Sequence, residues 1–321
     1  MAVSTVDHIE FHVADARVSA AELCDGFGFA EAGRSYGSVR LRQGDITIVL
    51  TEATPGHPAE QYVRRHGDGV AVIALGCDDA DDAYARAVGC GAQVLSAADR
   101  TVSGFGDVAL RFVEQAPSAG ATGEFAQTLD HAAMCIPAGE LKETVRFCEQ
   151  ALGFQQTFAE YISVGAQGMD SIVVQGPFGG VTFTLLEPDT SRSPGQIDAF
   201  LEAHGGAGVQ HLALRTDDIA HSVRSLAARG VGFLRTPGAY YDLLGQRLGH
   251  TGIPVETLRE LAILVDQDHG GQLFQIFSRS THPRHTFFLE LIERRGAATF
   301  GTANIKALYE AVERQRAAAD E

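Results

Sequence analysis

One pattern occurs twice in this chain of 321 residues, and it constrains the fold more than any other feature. Val6-Asp-His-Ile-Glu-Phe-His-Val13 runs into a helical pattern ending Gly26-Phe-Gly-Phe29. Leu129-Asp-His-Ala-Ala-Met-Cys-Ile136 runs into one ending Ala151-Leu-Gly-Phe154. In each, apolar residues first alternate as in a strand, then recur with a period near 3.6, and Gly-Phe closes the helix. A second pair follows. Gly69-Val-Ala-Val-Ile-Ala-Leu75 precedes Asp78-Asp79 and a helix ending near Gly89-Cys-Gly91; Gly208-Val-Gln-His-Leu-Ala-Leu214 precedes Asp217-Asp218 and a helix ending Ala228-Arg-Gly230. The Asp pairs sit where N-caps belong, and negative charge there suits the helix dipole. Strand-like runs such as Ile46-Thr-Ile-Val-Leu50 and Val181-Thr-Phe-Thr-Leu-Leu186 come after the helices. The chain therefore reads as four strand–helix–strand–strand–strand modules, paired into two related α+β halves.

The halves are expected at residues 1–116 and 129–321, joined by a linker at 117–128 inside the Ala-, Gly-, Ser- and Pro-rich stretch from Glu114 to Gln127. A final helix is expected over roughly Asn304 to Ala318, with Ile305, Leu308, Tyr309 and Val312 at helical spacing. Acidic residues number 41 against 25 basic ones, a net charge of −16 with no Lys/Arg stripe, which excludes a nucleic-acid partner from the expectations. The start lacks a basic segment followed by an apolar run, and no stretch approaches a membrane span. The five cysteines are scattered, without a C-x-x-C, so neither a disulfide framework nor a structural zinc site is expected, and a reducing cytoplasm fits.

A duplicated fold lets one half serve as a control for the other. His131 aligns with His8, so a histidine there decides nothing alone. His211 aligns with Val72, and Glu290, in Phe287-Phe-Leu-Glu-Leu-Ile-Glu-Arg294, aligns with Arg111 of Ala109-Leu-Arg-Phe-Val-Glu114. The C-terminal half thus carries His, His, Glu on three strands where the N-terminal half carries His, Val, Arg. Only the former suits a metal: two imidazoles and one carboxylate on one face of an iron leave about three positions open for substrate and oxygen. Ligands on strands also hold their vectors better than ligands on loops. A lone strand histidine is more often a satisfied core residue. Glu290, between Leu289 and Leu291, would cost several kcal/mol if buried unpaired; exposure on an edge strand is the alternative.

Six stretches carry a family resemblance: Leu129-Asp-His131, Gly206-Ala-Gly-Val-Gln-His-Leu-Ala-Leu214, Thr236-Pro-Gly-Ala-Tyr-Tyr-Asp242, Leu273-Phe-Gln-Ile-Phe277, Phe288-Leu-Glu-Leu-Ile-Glu-Arg294 and Phe300-Gly-Thr-Ala-Asn-Ile-Lys-Ala-Leu308. With them the chain resembles, over nearly its full length, the 4-hydroxyphenylpyruvate dioxygenase family. The resemblance implies the vicinal-oxygen-chelate fold, in which each pair of modules forms a half-open barrel. It implies Fe(II) on His131, His211 and Glu290, and 4-hydroxyphenylpyruvate and O2 as partners; a homodimer is compatible with it. It also implies that Gln210 and Gln275 sit near metal and substrate, Ser171 near the ring pocket, and Phe277 and Phe300 as aromatic walls. Phe277 could instead be plain core, and Ser171 and Gln210 surface polar residues.

The family contains two activities on one substrate. The dioxygenase makes homogentisate by hydroxylating the ring, whereas hydroxymandelate synthase hydroxylates the benzylic carbon. Homogentisate formers usually show Pro-x-Asn-Glu-Pro where this chain has Thr184-Leu-Leu-Glu-Pro188, and Asn-Phe-Lys where it has Asn304-Ile-Lys306. Gly271-Gln-Leu-Phe-Gln275 and Gly165-Ala-Gln-Gly-Met169 also look like the synthase. Thr184 and Ile305 thus join the expected substrate pocket. Losing an amide at Leu186 and a planar ring at Ile305 would let the substrate ring rotate until its CH2 faces the reacting oxygen, and a shift of about 1 Å suffices to redirect such a reaction. The synthase is the preferred expectation and the homogentisate-forming dioxygenase the runner-up. A non-catalytic small-molecule binder on the same fold is the alternative of another class.

His282-Pro-Arg-His285 could mimic a metal pair, but the proline denies it helical geometry and a loop is expected. His204, His221, His250 and His269 stand in polar, Gly-rich or capping contexts and are expected at the surface. Gly176-Pro-Phe-Gly-Gly180 reads as a hairpin turn.

Overall fold

The structure is a computed structural model that describes residues 3–115, 123–301, 304 and 306. The first half runs β1 (Val3–Val13), α1 (Ala16–Ala21), β2 (Ala30–Ser35), β3 (Ser38–Gln43), β4 (Ile46–Glu52), α2 (Pro58–His66), β5 (Gly69–Cys77), α3 (Ala80–Gly89), β6 (Val94–Ser96), β7 (Thr101–Phe105) and β8 (Val108–Glu114). A π-helical turn, Glu22–Gly26, prolongs α1. The second half repeats the plan: β9 (Thr128–Cys135), α4 (Leu141–Leu152), β10 (Gln155–Val164), β11 (Gln167–Gln175), β12 (Thr182–Pro188), α5 (Gln196–His204), β13 (Gly208–Arg215) and α6 (Ile219–Ala228). Three short helices, α7 (Gly238–Asp242), α8 (Leu244–Leu248) and α9 (Val255–Leu261), are inserted before β14 (Leu264–Gln267), β15 (Gln272–Phe277) and β16 (Phe288–Arg295).

Local chemistry sets the helix ends where the residues suggested. Asp79 and Asp218 are N-caps, their side chains accepting from the backbone N–H of Asp82 and His221. Gly153 ends α4 in the left-handed region at φ 72°, which a Cβ would disfavour. Gly176 to Gly180 forms the turn between the antiparallel strands β11 and β12. No described helix is long and apolar enough to cross a membrane.

Each half forms one eight-stranded sheet, ordered β2-β3-β4-β1-β5-β8-β7-β6 and β10-β11-β12-β9-β13-β16-β15-β14. The two orders are identical after a shift of eight strands, so the sequence repeat is a repeat of topology. The central pairs β1–β5 and β9–β13 are antiparallel, and each is flanked by parallel pairs. Strand alternation then divides the residues. Ala132, Met134, Phe183, Leu185, Leu212, Leu214, Leu289 and Leu291 belong to the main apolar core, which draws on both halves. Their neighbours His131, Thr184, His211 and Glu290 take the other face of the same strands.

The described part of the segment between the sheets is tied down rather than loose. The Gln43 amide oxygen accepts from the N–H of Phe125 and Ala126, at 3.1 and 2.6 Å. Gln127 bonds through its N–H to the Arg215 carbonyl and through its carbonyl to Asp45. The expected final helix lies outside the described residues apart from Asn304 and Lys306, and the pocket position Ile305 lies outside them too.

One surface expectation fails. His221, His250 and His269 are exposed, but His204 is 4% exposed. The last turn of α5 faces α2 across the junction of the halves, where the His204 ring stacks on His66 at 4.3 Å and on Phe200 at 5.1 Å. His66 Nδ1 lies 2.6 Å from the His204 carbonyl oxygen and its Nε2 2.8 Å from Asp107 Oδ2. Burial, then the charge of His66, pushes the His204 imidazole down to about 4.

Candidate metal centre

Ala213 organises the centre. Across β13 it is paired with His131 of β9 on one side and Glu290 of β16 on the other. A methyl group between two long side chains leaves room for both to lean over it. His211, two residues earlier on β13, points from the same face. The three residues are 4%, 7% and 1% exposed, and one donor atom from each lies within 4.8 Å of the others. Glu290 Oε2 is 3.5 Å from His131 Nε2 and 3.4 Å from His211 Nε2. Because β16 lies between β13 and β15, edge exposure does not account for this glutamate.

The other atoms of these side chains are already engaged. His131 Nδ1 lies 2.9 Å from Asp130 Oδ1. His211 Nδ1 lies 3.2 Å from Gln210 Oε1, which a register shift between Val209 and His211 brings alongside. Glu290 Oε1 accepts from Gln275 Nε2 at 2.8 Å. Carboxylate and amide oxygens face the two Nδ1 atoms, leaving two Nε2 atoms and one carboxylate oxygen to converge. Such a donor set fits a divalent iron: nitrogen and oxygen only, one negative charge, and no fourth protein ligand in the cluster among the described residues.

The two acids favour positive charge among the imidazoles they face. Burial opposes charge on His131, yet Asp130 and Glu290 outweigh it and raise its imidazole to about 9. Burial, reinforced by the charge of His131, holds His211 well below the usual imidazole range. Burial would raise the Asp130 carboxyl, but His131 and Arg294 hold it far below the usual carboxylate range.

The same register in the first half gives a different outcome. Ala74 pairs with His8 on one side and Arg111 on the other, and Val72 stands where β13 has His211. Arg111 Nη1 donates to Glu10 Oε2 at 2.9 Å, and Glu10 Oε1 accepts from Thr51 at 2.7 Å. Despite burial, His12, Thr51 and Arg111 hold the Glu10 carboxyl down at about 2. A fixed cation occupies this face.

The remaining expected residues are buried in the second half. Ser171, Thr184, Gln210, Gln275, Phe277 and Phe300 are all below 9% exposed, so a surface role for Ser171 and Gln210 is excluded. Ser171 and Leu186 are directly paired across β11 and β12, and the Thr184 hydroxyl is buried without a hydrogen-bond partner. Phe300 meets the His131 ring edge-on at 5.1 Å, and Phe277 the His211 ring at 6.2 Å. Phe277 also packs with Leu234 and Leu264, so it is core as well. Phe288, which the sequence did not single out, stacks on His211 at 4.9 Å. Asp130, Arg294 and Asn304 were missed as well; the Asp-His dipeptide present in both halves was the readable signal for the first.

Topology and site together define a protein of the vicinal-oxygen-chelate class, with its acid–imidazole cluster in the second of two repeated halves. Residues 1–126 match the family described as hydroxyphenylpyruvate dioxygenase, N-terminal, and residues 128–276 the glyoxalase/bleomycin resistance protein/dioxygenase superfamily. The 4-hydroxyphenylpyruvate dioxygenases of Aspergillus fumigatus and Caenorhabditis elegans are 30% and 32% identical, over 97% and 96% of this chain and 92% and 90% of theirs. A solved triple mutant of 4-hydroxymandelate synthase from Streptomyces coelicolor is 46% identical with a TM-score of 0.90, covering 98% of this chain and all of that one. The chain belongs to the 4-hydroxyphenylpyruvate dioxygenase family, the non-haem iron dioxygenases of this fold.

Proposed function

We propose that this chain is a 4-hydroxymandelate synthase, binding Fe(II) through His131, His211 and Glu290. The overall conversion takes 4-hydroxyphenylpyruvate and O2 to 4-hydroxymandelate and CO2. The observation that carries it is the convergence of two Nε2 atoms and one carboxylate oxygen on a buried face. Iron held there would supply the redox chemistry of O2 and a chelation point for a 2-oxo acid. The protein's own part is orientation and exclusion of water. Asp130, Gln210 and Gln275 fix the three donors, and Phe277 and Phe300 flank them with aromatic surface. The hydroxyls of Ser171 and Thr184 are the polar groups left for the substrate on a wall otherwise made apolar by Leu186.

For the benzylic product, two features count. Leu186 offers no amide to hold a ring in the orientation for ring attack. The identity to the solved synthase, 46%, also exceeds the 30% and 32% to the two dioxygenases. Homogentisate formation remains the second reading because those full-length relatives carry the dioxygenase name. The products are isomers, so proton NMR of the product from iron-loaded protein separates them: a benzylic CH–OH signal supports the synthase, and homogentisate alone overturns it.

A further inference from the structure

An Asp-His pair occurs in both halves, but among the described residues an arginine grips the aspartate in only one. Asp7 Oδ1 lies 2.6 Å from His8 Nδ1, as Asp130 Oδ1 lies 2.9 Å from His131 Nδ1. In the second half Arg294 closes on Asp130 with both arms, Nε to Oδ2 at 2.7 Å and Nη2 to Oδ1 at 2.9 Å. By the register that equates Glu290 with Arg111, the counterpart of Arg294 is Gln115, whose amide oxygen accepts from Ser4 Oγ at 2.6 Å instead. The Asp7 side chain is correspondingly 30% exposed and that of Asp130 only 7%. The pair came with the duplication; the clamp belongs to the half with the acid–imidazole cluster.

Arg294 reaches further than Asp130. Its Nη1 donates to the carbonyls of Thr299 at 2.7 Å and Ala297 at 3.3 Å, and its guanidinium lies 4.8 Å over the Phe300 ring. Phe300 in turn stands edge-on to His131. The contacts form a closed circuit: His131 to Asp130 to Arg294 to Phe300 and back to His131. A guanidinium can fill this place because it binds a carboxylate bidentately while its plane stacks on an aromatic ring; an ammonium does neither.

We propose that Arg294 is a positioning residue that orients the His131 imidazole and the Phe300 ring together, coupling metal affinity to the placement of the substrate's aromatic ring. This rests on the functional reading above, in which His131 is a ligand and Phe300 a wall. Asp130 is the group directly behind the histidine ligand, and loss of such a group typically changes metal affinity by roughly 10–100-fold; Arg294 acts through it.

The test uses the full-length apo protein, titrated with Co(II) and followed by its visible ligand-field bands, together with NMR of the products after iron loading. Arg294→Lys keeps the buried charge. It should weaken Co(II) by roughly 10-fold or more, alter the ligand-field bands, and change the ratio of benzylic to ring product. If Arg294→Lys does not fold, the uncharged pair Asp130→Asn with Arg294→Gln replaces it, with the same double effect expected. Wild-type affinity, bands and product ratio in the folded variant overturn the proposal while leaving the ligand assignment intact. A wild-type protein that takes up no Co(II) overturns both.

Discussion

Gln275 takes one carboxylate oxygen of Glu290 and leaves the other free: its Nε2 lies 2.8 Å from Oε1, while Oε2 is the atom facing His131 and His211. The amide is itself fixed from behind, since Asn304 Nδ2 donates to Gln275 Oε1 at 2.9 Å. Gln275→Leu would strand Oε1 in a site 1% exposed. Co(II) affinity of the apo protein should fall roughly 10–100-fold. Unchanged affinity in a titration would mean that Oε1 needs no donor.

Arg111 stands at the register position of Glu290, and it is a cation rather than a ligand. Arg111→Met would leave the Glu10 carboxylate without its guanidinium partner. Since the Arg111 side chain is 27% exposed, the cost should be about 2 kcal/mol, below that of a fully buried pair. Urea unfolding should read this loss with metal stoichiometry unchanged; a change in stoichiometry would place metal in the first half.

Leu186 lies opposite Ser171 on the inner wall. Leu186→Asn would supply an amide there, and the product mixture should move toward homogentisate, detectable by NMR. An unaltered ratio would remove this position from the control of regiochemistry.

His204 should make stability depend on pH. Its folded value is about 4 against 6.5 for the free imidazole, so between those values the unfolded chain binds the extra proton. Stability is therefore full above pH 6.5 and declines as pH falls toward 4, by about 3 kcal/mol from this group. Phe stacks without titrating, so His204→Phe should flatten that slope in thermal unfolding series. Parallel slopes for both proteins would contradict it.

Much of this was legible in the residues because the fold is duplicated. Asking where the halves disagree picked out His211 against Val72 and Glu290 against Arg111, and the register pairs each set around Ala213 and Ala74. Period and capping chemistry located the helices of Asp79 and Asp218. Arg294 and Asp130, 164 residues apart, meet only because β16 and β9 flank the same strand, which no local pattern announces. His204 misled for a related reason: its polar, Gly-rich neighbourhood suggests a surface, and the burial comes from a helix of the other half.

The most direct test is metal stoichiometry by equilibrium dialysis on wild type and Glu290→Ala, each checked by circular dichroism for the intact fold. One Fe(II) per wild-type chain and none held by folded Glu290→Ala is the outcome expected of a buried centre built from His131, His211 and Glu290. Equal iron in both proteins would contradict it.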